Sequence, residues 1–267
     1  MTYQSYLKAV DQFDASSYRT GRSVEALVMS RTGDLTVEYA PFDHIERAAE
    51  LVIVGLTPGR TQATAALASL ASDLRSGVPI ERALANAKRT ASFSGAMRSN
   101  LLAMLDAVGV PGLFGRASAS EFFSRGDALV HFTSVLRYPV YIGAQNYSGS
   151  PAPLGHPVLR GMIDTHLAEE AAALPNAIWI PLGGHAEDAL LHLAGTERLD
   201  RNKVLAGLPH PSGANVERIA YFLGRKDREH LSAKTNAARI DGAKRKLLEQ
   251  VELLRREIGN RRGSNVA

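Results

Sequence analysis

Short apolar runs separated by helix-like stretches organise the middle of the chain. Four runs are continuous and rich in branched apolar residues, which is typical of strands buried on both faces of a parallel sheet. They occupy residues 51–54, 128–132, 177–182 and 204–208. Apolar positions recur at helical spacing over 61–75, 98–108, 158–173 and from 185 through 193. This alternation predicts an α/β fold, a three-layer α/β/α sandwich with a central four-stranded parallel sheet.

Two further patterns flank this core. Residues 34–39 alternate polar and apolar side chains, which predicts a half-exposed strand at an edge. Near the C-terminus, an apolar stripe predicts one long amphipathic helix. The stripe consists of Ile240, Leu247, Val251, Leu254 and Ile258. Packing onto the core is the favoured role of this helix, and contact with a second copy or with DNA are the alternatives.

We expect a single domain over 1–267. It would carry an N-terminal extension (1–45), a helical insertion (61–89) and a basic C-terminal helix (235–260). Composition excludes several classes of site, because the chain has no cysteine. Disulfides, thiolate zinc sites, cysteine nucleophiles and cysteine-held iron–sulfur clusters are therefore impossible. No signal peptide and no apolar stretch of about 20 residues is present, so we expect a cytoplasmic protein without a membrane contact.

Basic residues are concentrated at the C-terminal end of the chain. Residues 225–262 hold 12 Lys or Arg and 6 Asp or Glu, whereas the whole chain has a net charge of +4. Such a segment suits a polyanion such as nucleic acid, and a solvated helix face is the alternative.

A glycine–proline loop follows the first apolar run. Residues 55–59 are Gly-Leu-Thr-Pro-Gly, in which the glycines permit close backbone approach and Pro58 restricts the turn. Arg60 and Thr61 then begin a helix whose free N–H groups favour an anion or a ligand carbonyl. A phosphate loop is disfavoured, because neither Gly-Lys-Ser/Thr nor Gly-x-Gly-x-x-Gly is present. An ordinary strand-to-helix turn is the alternative.

A histidine–proline loop follows the last apolar run. Residues 210–213 are His-Pro-Ser-Gly, and an imidazole at this place can donate a hydrogen bond to developing negative charge. A purely structural histidine is the alternative. Because ligand sites of open α/β sheets lie at the carboxyl ends of the strands, the two loops predict one pocket. The Gly-, Ser- and Pro-rich segment 141–157 is expected to wall it.

The order of these motifs resembles that of the uracil-DNA glycosylase superfamily. The 55–59 loop is similar to the family's water-activating pattern Gly-x-(Asp/Asn)-Pro-(Tyr/Gly). Residues 210–215, His-Pro-Ser-Gly-Ala-Asn, resemble its second loop. Phe93 and the helix after it look like its stacking phenylalanine, and 133–136 lies where the family has Asn-x-Val-Leu. The resemblance spans roughly residues 42–215.

This resemblance implies a monofunctional DNA repair enzyme that hydrolyses the N-glycosidic bond of uracil flipped out of DNA. It implies His210 and Thr57 as catalytic residues, with no metal and no cofactor. The implied uracil-binding residues are Gly55, Leu56, Pro58, Phe93, Thr133 and His131. The implied DNA-binding residues are Gly59, Arg60, Ser212, Gly213 and Asn215. Single- or double-stranded DNA would be the partner, free uracil the product, and we expect a monomer.

The chain also departs from the family pattern. Thr57 replaces a catalytic aspartate or asparagine, and a threonine can position water but cannot act as a general base near neutral pH. Thr133 replaces the asparagine that reads the uracil edge, and His131, on the same strand face, could substitute. Ala214 replaces a leucine wedge, so the 141–157 loop is the expected source of any wedge.

Two other functions therefore stay open. One is a non-catalytic member of the same fold that binds DNA or a free base. The other is a doubly wound enzyme that acts on a nucleotide or another small phosphorylated ligand at the same edge of the sheet.

Overall fold

The strands form two separate sheets in a computed structural model that describes residues 3–21, 24–92, 95–124 and 128–264. They are β1 (Val28–Thr32), β2 (Leu35–Glu38), β3 (Leu51–Gly55), β4 (Val130–Ser134), β5 (Val140–Ile142), β6 (Gln145–Asn146) and β7 (Ile178–Pro181). One sheet is parallel, with the order β4-β3-β7. The other is antiparallel, with the order β1-β2-β5-β6.

The parallel sheet confirms the predicted α/β class but holds three strands in the described part of the chain, not four. The expected fourth run, 204–208, makes two isolated parallel bridges beside β7, one from Val204 to Trp179 and one from Leu208 to Leu182. Gly207 lies between these bridges with a φ of +113°. Because this torsion lies outside the β region, the hydrogen-bond ladder is interrupted there.

The predicted half-exposed edge strand is β2, and the prediction of its exposure is wrong. All four of its residues are buried, and β2 lies between β1 and β5. Glu38, one of its two polar side chains, has a buried partner, since the hydroxyl of Tyr18 donates to it at 2.6 Å. Polar alternation in this segment therefore reflects a buried polar cluster and not contact with solvent.

Helices surround the parallel sheet. They are α1 (Leu7–Asp11), α2 (Ala15–Arg19), α3 (Arg60–Arg75), α4 (Ile80–Ala91), α5 (Gly95–Ala107), α6 (Val110–Leu113), α7 (Pro157–Met162), α8 (Ala168–Ala173), α9 (Gly184–Gly195), α10 (Val216–Phe222) and α11 (Ala237–Ser264). A π-helical segment, Ile163–Leu167, connects α7 to α8. The segment 61–89, which we expect to be a helical insertion, forms most of α3 and α4. No helix in the described ranges is both long and apolar enough to cross a membrane.

Two apolar cores lie on opposite faces of the parallel sheet. Alternate residues of β3 point to opposite faces, so Val52 and Val54 join one core and Leu51 and Ile53 the other. The first core includes residues from α3, α4, α7, α8 and α9. The second includes residues from α5, α6, α10 and α11. Helices therefore cover both faces, as the alternating pattern predicts.

The C-terminal helix packs onto the second core, which confirms the favoured prediction. Leu247, Val251 and Leu254 are buried there, and Ile240 and Ile258 are partly buried against it. This arrangement places α11 beside the 204–208 run, which leads directly into the histidine–proline loop.

Candidate functional site

Both predicted loops line one cleft with a volume of about 1590 Å³, which confirms the expected shared pocket. The cleft lies at the carboxyl ends of the parallel strands. Residues 55–59 follow β3, Ser134 ends β4, and residues 182–184 follow β7. His210 and Ser212 contribute the second loop. Of the residues expected to bind uracil, Gly55, Leu56, Pro58 and Thr133 line this cleft.

The imidazole of His210 has a defined tautomer. The backbone N–H of Ser212 donates to its Nδ1 at 3.3 Å, so the ring proton of the neutral form lies on Nε2. Burial lowers the pKa of His210 below its ordinary value, which favours the neutral ring. His210 therefore presents a neutral N–H donor at the cleft wall.

Neighbouring backbone holds this histidine in place. Gly183 has a φ of +90°, and a Cβ there would lie 3.4 Å from the Cβ of His210. Asn100, on α5, donates through its Nδ2 to the carbonyl of Pro211 at 2.9 Å. The second loop is thus attached both to the end of β7 and to the helix that follows position 93.

Thr57 uses most of its hydrogen-bonding capacity inside the protein. Its hydroxyl donates to the carbonyl of Tyr138 at 3.1 Å and accepts from the N–H of Val140 at 3.2 Å. A hydroxyl has one proton and two lone pairs, so one acceptor position is left. Thr57 can accept a hydrogen bond from a water molecule, but its proton is already donated to the carbonyl of Tyr138, just before β5.

The expected free N–H groups at the start of α3 are partly occupied. The N–H of Gly59 donates to Oε1 of Gln62 at 3.0 Å, and the N–H of Arg60 donates to Oδ1 of Asn146 at 2.8 Å. The prediction that these two groups are free for an anion is wrong, because protein side chains satisfy both. Gly59 and Asn146 themselves line the cleft.

The side chain of Arg60 lies away from its expected DNA partner. Arg60 is only 8% exposed and is not among the residues that line the cleft. Its guanidinium lies 3.7 Å from the ring centre of Tyr141, and its Nη1 lies 3.8 Å from Oε2 of Glu38. Arg60 thus connects α3 to the antiparallel sheet. The other expected DNA-binding residues are better placed, since Ser212 and Asn215 line the cleft and Gly213 is exposed beside them.

His131, expected to read the uracil edge, is 2% exposed and is not a lining residue of the cleft. Its Nδ1 accepts from the N–H of Glu46 at 3.3 Å, and its Nε2 lies 3.4 Å from Oε2 of Glu170. Burial and the neighbouring Lys88 lower its pKa to about 4. His131 lies nearer the start of β4 than Thr133, so it belongs to the buried network and Thr133 belongs to the cleft.

Lys88 is a cleft residue that sequence reasoning missed. It lies in α4 at the buried end of the cleft, with Nζ 2.7 Å from the carbonyl of His44 and 3.8 Å from Oε1 of Glu170. Burial lowers its pKa to about 8. Arg137, also at the cleft, donates through Nε to Glu170 at 3.0 Å.

Lys88 lies four residues after the buried Leu84 and so falls on the apolar side of α4, whereas Arg82 and Arg89 are exposed. A lysine at an apolar position of the helical pattern was the signal that could have found it.

The expected stacking residue, Phe93, lies outside the described residues, as does the neighbouring position 94. The 141–157 loop does wall the cleft, through Asn146, Tyr147 and Ser148. Gly149 of this loop packs against the ring of His185, since a Cβ there would lie 2.4 Å from that ring. Val216 is the most exposed large apolar side chain in the described part of the chain, at 64%, and directly follows Asn215.

Exposed basic side chains line the open side of the cleft. They are Arg201, Arg218, Lys234, Arg239, Arg245 and Lys246. In the described ranges, none of these six forms an ion pair with a carboxylate. The described carboxylates at the cleft are Glu187 and Asp188. The C-terminal basic segment therefore contributes positive charge to the same cleft that holds the two loops.

No group of three or more metal-ligating side chains occurs among the described residues. Near His210 the cleft offers a neutral N–H donor, and elsewhere it carries exposed cations together with the carboxylates Glu187 and Asp188. Such an arrangement can stabilise negative charge on a ligand near His210 and attract a polyanion to the open side.

Comparison with known proteins identifies a bacterial relative. No family model matches the chain, and no solved structure matches it. The chain is 37% identical over 218 residues to the uncharacterized protein YoxB of Bacillus subtilis (strain 168). The match covers 80% of this chain and 85% of that protein. The chain therefore belongs to the same protein family as YoxB.

Proposed function

We propose that the protein is a DNA glycosylase that hydrolyses the N-glycosidic bond of uracil in DNA. The observation that carries this proposal is the neutral His210, whose Nδ1 is occupied by Ser212 and whose Nε2–H is free to serve a ligand in the cleft. The resemblance in motif order supports the choice of uracil. We further propose that the protein acts in the cytoplasm, as a monomer and without a cofactor.

The proposed reaction breaks the bond between N1 of uracil and C1′ of the sugar. The bonding electrons leave with the base, so negative charge develops on its carbonyl oxygens and positive charge on the sugar. His210 donates its Nε2–H to that developing negative charge, and one such donor is worth about 3–4 kcal/mol. Water adds to C1′ and releases a proton, which leaves free uracil and an abasic site.

Thr57 accepts a hydrogen bond from this water with its remaining lone pair. The threonine orients the nucleophile and does not deprotonate it, because a neutral hydroxyl is not a base near neutral pH; its bonds to Tyr138 and Val140 hold the hydroxyl in place. If the bond to the base is largely broken before water attacks, the sugar is already cationic and a weak nucleophile is enough. Catalysis then depends mainly on stabilising the negative charge of the departing base.

The cleft offers groups that could hold an extruded nucleotide. Flipping a base costs a few kcal/mol, which stacking and edge hydrogen bonds must offset. Phe132 and Thr133 line the cleft at the end of β4. Lys88 lies at the buried end, and its ammonium has donors beyond the one that it gives to the carbonyl of His44. Phe93 retains its proposed stacking role from the resemblance.

The decisive experiment measures uracil release from a single-stranded oligonucleotide and from a U:G duplex. We expect release by the unchanged protein and a loss of about 10²-fold or more in His210→Ala. His230→Ala is the matched control, because this side chain is exposed and is not a lining residue of the cleft. Absence of release from both substrates would overturn the proposal, and an unchanged rate in His210→Ala would remove His210 from it.

A second candidate function is a non-catalytic DNA- or base-binding protein. It is favoured by Thr57, because a committed threonine occupies the place where the resembling enzymes have a carboxylate or amide. Salt-dependent DNA binding without base release would select this function. Binding of a free nucleotide without affinity for DNA would instead select the small-ligand enzyme.

A further inference from the structure

The C-terminal helix has two different faces. Leu247 and Val251 are buried in the second core, whereas Arg239 and Lys246 are exposed and line the cleft. The cleft-facing cations lie seven residues apart, which places them on the same side of the helix. One side of α11 therefore stabilises the fold, and another forms a basic wall of the cleft.

Close backbone packing sets the position of this wall relative to His210. A Cβ on Gly207 would lie 3.2 Å from the Cβ and the carbonyl oxygen of Ala243, so helix and loop approach closely there. The Nε2 of Gln250 also donates to the carbonyl of Val204 at 3.1 Å. Because residues 204–208 lead directly to His210, the basic wall and the proposed catalytic donor are parts of one connected assembly.

The segment that leads into α11 is also held against α10, the helix that follows the second loop. Glu217, at the start of α10, accepts from Lys226 at 2.7 Å, from the N–H of Ser232 at 3.1 Å and from the hydroxyl of Thr235. Arg218 donates to the carbonyl of Lys234 at 3.3 Å. These bonds place Lys234 at the cleft, next to the cations of α11.

The cleft is larger than one nucleotide requires. Its volume of about 1590 Å³ exceeds the roughly 300–1,000 Å³ typical of small-ligand pockets. Cations that form no ion pair with the carboxylates of the described residues, placed along a concave wall, suit a chain of phosphates. A single strand can lie inside such a groove. The cations lie on the open side of the cleft, and the neutral donor is His210. This arrangement suits a phosphate chain that continues from a nucleotide bound at His210.

We infer that the wall formed by Lys234, Arg239, Arg245 and Lys246 binds the backbone of single-stranded DNA that flanks the target nucleotide. This inference takes from the proposed function the identity of the ligand as DNA. It does not require that uracil be cleaved, because phosphate contacts carry no base information. The wall supplies affinity and register, and the two loops act on the nucleotide that reaches them.

Anisotropy titrations with a labelled, uracil-free single strand test this inference. The strand has about 15 nucleotides, a length within the range of single-strand grooves. The test variant is Arg239→Gln/Lys246→Gln. We expect binding about tenfold weaker at low salt, with the slope of log affinity against log salt reduced by about 1.4. The matched control is Arg255→Gln/Arg256→Gln, which removes two charges from the same helix outside the cleft.

The outcomes separate this inference from the proposed function. The inference is overturned if the unchanged protein does not bind the single strand, or if the two double variants bind it alike. It is also overturned if a duplex of the same length binds as tightly as the single strand and loses as much affinity in the test variant. If the test variant alone loses binding while no form of the protein releases uracil, the inference stands and the proposed function fails. Circular dichroism melting checks that both double variants are folded, which we expect because all four side chains are exposed.

Discussion

The backbone N–H of Ser212 donates to Nδ1 of His210 at 3.3 Å. This contact within one short loop decides which ring nitrogen is available to a ligand. Because Nδ1 is an acceptor here, Nε2 carries the proton of the neutral ring, and burial keeps the ring neutral by lowering its pKa.

Nitrogen-15 NMR of the histidine rings tests this arrangement. We expect the His210 signal to show a protonated Nε2 and an unprotonated Nδ1 at neutral pH. Since its pKa is lowered, the ring should gain its second proton only below the ordinary pKa of 6.5. His210→Ala assigns the signal, and a ring doubly protonated at pH 7 would contradict the assignment.

The hydroxyl of Thr57 connects the first loop to residues 138–140. Thr57→Val removes both hydrogen bonds and leaves the N–H of Val140 without this partner. We expect a loss of about 1–3 kcal/mol in the free energy of unfolding, measured by urea titration.

Thr57→Ser is the matched control, because it retains the hydroxyl. We expect it to keep nearly all of the stability and most of the uracil release. A valine variant as stable as the serine variant would show that the two hydrogen bonds contribute little.

Because His131 is buried, we expect the free energy of unfolding to decrease in mild acid. Its pKa is lowered to about 4 in the folded protein, whereas an unfolded histidine titrates near 6.5. Unfolding therefore takes up a proton between these values, so His131 contributes stability above pH 6.5 that is lost as the pH falls toward 4.

This contribution amounts to about 3 kcal/mol across the window. The measurement is the free energy of unfolding at several pH values for the unchanged protein and for His131→Gln. We expect the difference between the two to shrink as the pH falls from 6.5 to 4. A difference that does not change with pH would show that His131 does not titrate in this window.

The exposed position of Val216 leads us to expect that this side chain is needed for uracil release from duplex DNA only. An exposed apolar side chain beside the second loop is suited to enter the space that an extruded base leaves, and the 141–157 loop was the expected source of such a residue. We expect Val216→Ala to slow uracil release from a U:G duplex by about tenfold and to leave release from a single strand unchanged, since a single strand needs no separation of stacked pairs.

Leu253→Ala is the matched control for this experiment. Leu253 is 58% exposed on α11 and is not among the residues that line the cleft. If Val216→Ala slows uracil release equally from single and double strands, Val216 contributes to folding or to DNA binding in general and not to duplex opening.

Hydrophobic periodicity was enough to predict the α/β class and most elements of the core. The run 51–54 is the central strand β3, and the apolar stripe of the C-terminal helix packs as expected. Failure occurred at 204–208, where the apolar run is broken by the torsion of Gly207 and makes isolated bridges only. It also occurred at β2, whose residues are all buried and whose Glu38 is paired with Tyr18, 20 residues earlier in the sequence.

The site was predictable to the extent that it depends on chain order. Two loops at the ends of parallel strands meet because strand direction places their carboxyl ends together, and both line one cleft. The roles of Arg60 and His131 were not predictable in this way. Whether a polar side chain turns to the cleft or to a buried partner depends on residues such as Glu38 and Glu170, which are distant in sequence.

Local patterns of the sequence thus determined the kind of elements, their order and the two loops that share a cleft, because periodicity and turn chemistry act over a few residues. The tertiary structure alone decided that Thr57 is committed to the segment 138–140, that Lys88 reaches the buried end of the cleft, and that α11 brings cations to its open side. Those outcomes depend on packing between elements, where burial and partner geometry select which polar groups are satisfied within the fold and which stay available to a ligand.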